Sequence, residues 1–130
     1  MPSLLVTKPT LSEPNLLANQ LYYGDPGCGP GQVTIGVDAS DPAGVAGVRL
    51  YLRLVDKSGH GTTSWSNLAM SQSGGGWSIT INPTSNIPNY SAYSNAWVQF
   101  YFVATSTRDG VTQSPSYTNN LSLSRCIIVR

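Results

Sequence analysis

Charge is scarce in this chain. Asp, Glu, Lys and Arg make up 10% of its 130 residues, against roughly 25% in an ordinary soluble domain, so Ser, Thr and Asn must carry solubility. The formal net charge is +1, and the seven basic residues form no run. Nucleic acid and anionic membrane surfaces are held by clustered Lys and Arg, so neither is expected as a partner. No apolar stretch approaches the ~18–20 residues of a membrane-spanning helix, and no membrane insertion is expected. Met1-Pro-Ser-Leu-Leu-Val6 also lacks the basic start and apolar centre of a signal peptide. Either the chain is a piece of a larger exported protein, which is the expectation, or its leader has been removed, or it is not exported.

Titratable chemistry is equally sparse. The single histidine, His60, stands between Gly59 and Gly61 in a turn. A catalytic base needs a nucleophile within reach and a third group to orient it, and a Gly-His-Gly tip offers neither. The six acidic residues are spread along the chain, whereas glycoside hydrolysis needs two carboxylates in one cleft. No catalytic residue is assigned and no enzyme is expected. Gly27-Cys-Gly-Pro-Gly31 lacks the Lys and the following helix of a phosphate-binding loop, so no cofactor is expected either. Asp38, Asp41 and Asp109 fall where loops of a sandwich can converge on calcium, which takes six to eight oxygens. The plainer reading is that Asp41 opens its turn and Asp109 pairs with Arg108 or caps its own backbone. No metal site is assigned.

Only two cysteines are present, Cys28 and Cys126, without a Cys-x-x-Cys or a nearby His. That spacing supports no zinc site. Either they form a disulfide or they are two separate buried thiols. Their flanks, Gly27 and Gly29, Arg125 and Ile127, do not make an apolar stretch that would bury a free thiol. A disulfide is therefore expected, and with it a location outside the cytoplasm, extracellular or at the cell surface.

Turn formers and alternating strands are abundant instead, with 13 Gly and 9 Pro. From Gly47 to Val55, Val48, Leu50, Leu52 and Leu54 point one way while Arg49, Tyr51 and Arg53 point the other. Period-two alternation marks a strand with one buried and one solvated face. The same pattern predicts strands at Gln32–Ala39, Thr63–Met70, Trp77–Ile81, Ala96–Thr105 and Ser116–Arg125. Thr7–Tyr23, with Pro9 and Pro14, reads as an edge strand and a return, and Asn82–Asn95 as a polar crossover. About seven strands with turns every ~8–12 residues predict an all-β two-sheet sandwich. Val33, Ile35, Val37, Leu50, Leu52, Trp77, Ile79, Phe100 and Phe102 are its expected core.

Three segments carry a resemblance. Asp41-Pro-Ala-Gly-Val-Ala-Gly-Val-Arg-Leu-Tyr-Leu-Arg53, Gly74-Gly-Gly-Trp-Ser-Ile79 and Gln99-Phe-Tyr-Phe-Val-Ala-Thr105 resemble bacterial immunoglobulin-like domains. Those carry D-P-S-G-V-x-x-V-x-L-x-Y-R, G-x-G-W-Y and E-Y-Y-V-V-A-T-D segments in the same order, and are related in fold to fibronectin type III modules. Tyr22-Tyr-Gly-x-x-x-Cys28 with a late Cys126 is similar to a subgroup with a terminal cysteine pair. The resemblance implies an immunoglobulin-like two-sheet antiparallel sandwich over residues 9–126, preceded by a linker or edge strand at 1–8 and followed by a tail at 127–130. It also implies that Cys28 and Cys126 meet at one end, with Cα atoms about 5.5–6 Å apart. The chain departs from the pattern at Ser106, where the family carries Asp, so an interaction built on that carboxylate is not carried over.

Such modules serve as spacers, adhesins or accessory domains. The implied function is a non-catalytic extracellular module, a spacer or protein-interaction unit of a surface or secreted protein, with neighbouring protein domains as partners. The candidate binding face is Arg49, Tyr51 and Arg53 on one strand with Trp97, Gln99 and Tyr101 on its neighbour. Guanidinium groups on aromatic rings form either a stiffening cross-strand ladder or a contact surface. Two alternatives stand beside that reading. One is a carbohydrate-binding module that stacks a glycan surface on Tyr51, Trp97 and Tyr101. The other is self-assembly by strand exchange through the apolar strips Leu4-Leu-Val6 and Ile127-Ile-Val129. Asn89-Tyr-Ser91 and Asn120-Leu-Ser122 match the N-glycosylation pattern, as chance allows in a chain this rich in Asn and Ser.

Overall fold

The computed structural model describes residues 7–74 and 76–128; the strip at Leu4–Val6 lies outside them. In chain order the strands are β1 (Thr10–Leu11), β2 (Asn15–Leu16), β3 (Gln20–Gly24), β4 (Val33–Ser40), β5 (Val45–Asp56) and β6 (Ser66–Ala69). They continue with β7 (Ser71–Ser73), β8 (Gly76–Ile81), β9 (Asn95–Ser106), β10 (Val111–Gln113) and β11 (Ser122–Cys126). One sheet runs β1-β4-β8-β7, with β2 also on β4; the other runs β3-β11-β9-β5-β6, with β10 also on β9. The chain is therefore an all-β sandwich of two sheets.

The core follows from the alternation. Leu50, Leu52, Leu54, Phe100 and Phe102 of one sheet and Ile35 and Ile81 of the other are fully buried. Register agrees: Leu50 opposes Phe102 and Leu52 opposes Phe100, so large apolar groups meet directly across the strands. Ile79 is a correction, being only half-buried although it shares a face with Trp77 and Ile81.

Three segments depart from the expected strands, two of them because the chain changes sheets. Thr7–Tyr23 crosses from one sheet to the other: β1 and β2 pair with β4, whereas β3 pairs with β11 in parallel. The sandwich is thus antiparallel except for this pair. Thr63–Met70 is shortened to β6, and the chain then changes sheets across buried Met70 to form β7 on β8. Ser116–Arg125 is cut to β11, which begins only at Ser122. β10 serves the far half of β9 instead, with a single bridge from Tyr117 to Phe100 between. The crossover also holds one helical turn, α1 (Pro83–Asn86), capped by the Asn82 side chain, which accepts from Thr84 N at 3.1 Å. Asn before Pro is a favoured helix start.

Cys28 and Cys126 are bonded, with Cα atoms 5.8 Å apart. β3 and β11 end side by side at Gly24↔Cys126, and Gly24 takes φ +99°, where a Cβ would stand 2.7 Å from the Cys126 carbonyl oxygen. The loop then folds back, so that Pro30 O accepts from Tyr22 N at 2.9 Å and Cys126 O accepts from Asp25 N at 3.1 Å. This loop covers part of the open edge of β3, which would otherwise present unpaired backbone groups.

Candidate functional site

The outer face of the β6-β5-β9 ribbon carries the sequence-predicted residues, and strand parity places all six there. Tyr51 opposes Tyr101 and Arg53 opposes Gln99, while Arg49 opposes Val103. The two tyrosine rings stack with centroids 4.9 Å apart and planes 3° from parallel. β6 supplies what the sequence left undecided. Because Ser66 opposes Leu52, the preceding Trp65 falls beside Arg53, whose guanidinium lies 4.4 Å from the indole centroid. Trp65 also meets Tyr101 edge to face at 4.7 Å.

Both arginines are held by a neutral amide. Arg53 Nε donates to Gln99 Oε1 at 2.9 Å, and Arg49 Nε donates to Asn67 Oδ1 at 2.8 Å. Of the two arginines expected to be able to cover aromatics, Arg53 lies on a ring, whereas Arg49 is held on Asn67. Asn67 opposes Tyr51 and reaches Arg49 diagonally, a contact invisible without the β6 register. Beyond the end of β5, Lys57 places Nζ 4.0 Å from the Trp97 centroid and donates to Ser122 Oγ at 2.8 Å. Lys57 was also missed, although it continues the Arg49, Arg53 spacing of four residues.

Each of these half-buried rings thus has a neighbour on one face. Tyr51 and Tyr101 cover each other, Arg53 covers Trp65, and Lys57 covers Trp97. The cations, by contrast, lack counter-charges: among the described residues the only acid–base contact is His60 Nδ1 to Asp56 Oδ2 at 3.5 Å. Asp56 is turned into its own loop, where it also accepts from Ser58 N at 2.9 Å.

The opposite outer face, on β4 and β8, is built from small residues. Thr34 opposes Thr80, Gly36 opposes Ser78 and Asp38 opposes Gly76. Glu13 and Asp38 both line one shallow hollow there of about 250 Å³. Both are exposed, on an open sheet surface. Asp38, Asp41 and Asp109 do not converge; among the described residues no group of three or more His, Cys, Asp or Glu could hold a metal. This corrects the calcium possibility.

Asp41 instead ties the sandwich end together. Its Oδ2 accepts from Thr7 Oγ1 at 2.7 Å, Ser106 Oγ at 2.9 Å and Ala43 N at 2.9 Å. Desolvation pushes its pKa up, but the hydrogen bonds from Thr7, Ser106 and Ala43 outweigh it and hold the carboxyl below its ordinary 3.8. Ser106 explains its own identity here: a hydroxyl donates to Asp41, where a second carboxylate would repel it. A lowered native pKa adds stability that is full above the unfolded value and lost as pH falls through the native one. The gap in Tm between wild type and Asp41→Asn is therefore expected to be widest near neutral pH and to narrow below 3.8. A gap that stays constant down to strongly acid pH would show that the carboxylate charge is not what the three donors recognise.

Among the described residues no helix is long and apolar enough to cross a membrane. No family model matches the sequence, and no curated protein matches it either.

Proposed function

We propose that this chain is a non-catalytic, extracellular immunoglobulin-like module that acts as a protein-interaction unit of a surface or secreted protein. The observation that carries the reading is the ladder on β6, β5 and β9: each of its rings is half-buried with a neighbour of the same chain on one face, while its cations have no counter-charge among the described residues. A sugar is bound by stacking on a well-exposed ring face, so this arrangement favours a protein surface over a glycan. The parallel pairing of the first and last strands of one sheet and the bridge at their ends support the immunoglobulin-like type. The disulfide supports the location, because such bonds persist in oxidising compartments.

A photo-crosslinking amino acid in place of Tyr51, compared with one in place of Thr80 on the opposite face, tests the reading in the native setting. A protein adduct at position 51 and none at position 80 is expected. Glycan-array binding that vanishes on Trp97→Ala, with the fold intact and no protein adduct, would establish the carbohydrate reading instead.

A further inference from the structure

Arg49 and Arg53 are prepared in the same way. Each spends its Nε on a side-chain amide oxygen, Asn67 on one flank of β5 and Gln99 on the other. Among the described residues the remaining guanidinium nitrogens meet no carboxylate. An arginine tethered through Nε keeps its two terminal nitrogens as a planar fork. That fork matches a carboxylate in a bidentate pair. Holding the fork beforehand removes part of the ordering cost of binding.

The two arginines are four residues apart on one strand, a backbone interval of about 13 Å at ~3.3 Å per residue, with Arg49 leaning toward β6 and Arg53 toward β9. An extended peptide has the same rise, so carboxylates at positions i and i+4 on one of its faces fall at the same interval. Lys57 extends the row by four residues more, although its ammonium is already engaged by Trp97 and Ser122. Charge is segregated to match: Glu13 and Asp38 sit with the β4 face, and the one acid near the row, Asp56, is engaged by its own loop.

The half-buried rings distinguish among anions. Nucleic-acid bases and sugars would need well-exposed aromatic faces for stacking, and Tyr51, Tyr101, Trp65 and Trp97 are half-buried, each with a neighbour on one face. A flat sheet face with two tethered forks suits a partner that presents carboxylates at fixed intervals from a backbone. We infer that the β5 row binds an extended acidic protein segment whose carboxylates four residues apart seat on Arg49 and Arg53. This rests on the interaction-module reading and names the partner's chemistry.

The test uses synthetic strand-forming peptides with two Glu separated by two to six positions, titrated against the intact disulfide-bonded chain. Arg49→Lys and Arg53→Lys keep the charge and the exposed site but lose the fork. The expected result is tightest binding at a separation of four, weakened at least about tenfold by either substitution. Affinity that ignores the spacing, or that survives both substitutions, would overturn the inference by reducing the site to net charge. Binding of a sulfated or uronate polysaccharide with no peptide binding would overturn it in favour of a glycan. If no anion binds while position 51 still crosslinks a protein, the acidic partner fails and the interaction module stands. Loss of the crosslink as well sinks both.

Discussion

Reduction of the Cys28–Cys126 bridge is expected to lower Tm by on the order of 15 °C, while the sheet signal in circular dichroism survives at room temperature. The bridge spans 98 residues of sequence, and closing a loop of that size restricts the unfolded chain by about 4–5 kcal/mol in the loop-entropy model. Its position explains why the fold should persist without it. The bond lies at the rim where β3 and β11 end, outside the layer in which Ile35, Leu52 and Phe102 are fully buried. In antibody domains the disulfide crosses between the sheets, whereas here core packing and the hydrogen bonds of Asp41 join them. Scanning calorimetry with and without reductant, repeated on Cys28→Ser/Cys126→Ser, measures the effect. Complete unfolding on mild reduction would mean that the core is weaker than its packing indicates. An unchanged Tm would mean that the bridge constrains nothing.

Leu52→Ala is expected to cost about 2–5 kcal/mol, and its neighbour Tyr51→Ala no more than about 1.5 kcal/mol. The contrast is the point of the pair. Leu52 is 1% exposed and opposes Phe100 on the core side, so truncation leaves a cavity that close-packed neighbours fill only in part. Tyr51 lies on the other face, where its loss removes one ring stack and admits water. A domain of this size has only about 5–15 kcal/mol in total, so the first change is a large share of it. Urea unfolding of both variants gives the two numbers side by side. Equal costs would show that the two faces of β5 are not the buried and solvated sides that its alternation describes.

What was legible in the sequence was side-chain period. β4, β5, β8 and β9 alternate cleanly, and their inward residues form the core as read, apart from Ile79 at its rim. What was not legible was backbone partnership. A chain that changes sheets at Met70, or between Leu16 and Gln20, does so by exchanging hydrogen-bond partners, and the side chains need not mark the exchange. The helical turn at Pro83 is too short to show a period, although Asn82-Pro83 was a usable start signal. The candidate face divides the same way. Parity within β5 and β9 placed six residues correctly on one surface, whereas Trp65 and Asn67 depended on a hairpin register that parity alone does not set. The tether of Arg49 followed from that register.

The central claim is that the ladder exists for contact rather than for stiffness. Denaturant unfolding of Arg49→Gln/Arg53→Gln, read beside crosslinking from position 51, tests it most directly. Contact predicts a stability within about 1 kcal/mol of wild type, because neither arginine has an ion pair to lose among the described residues, together with loss of the adduct. A stability loss of about 2 kcal/mol or more, with the adduct unchanged, would contradict it.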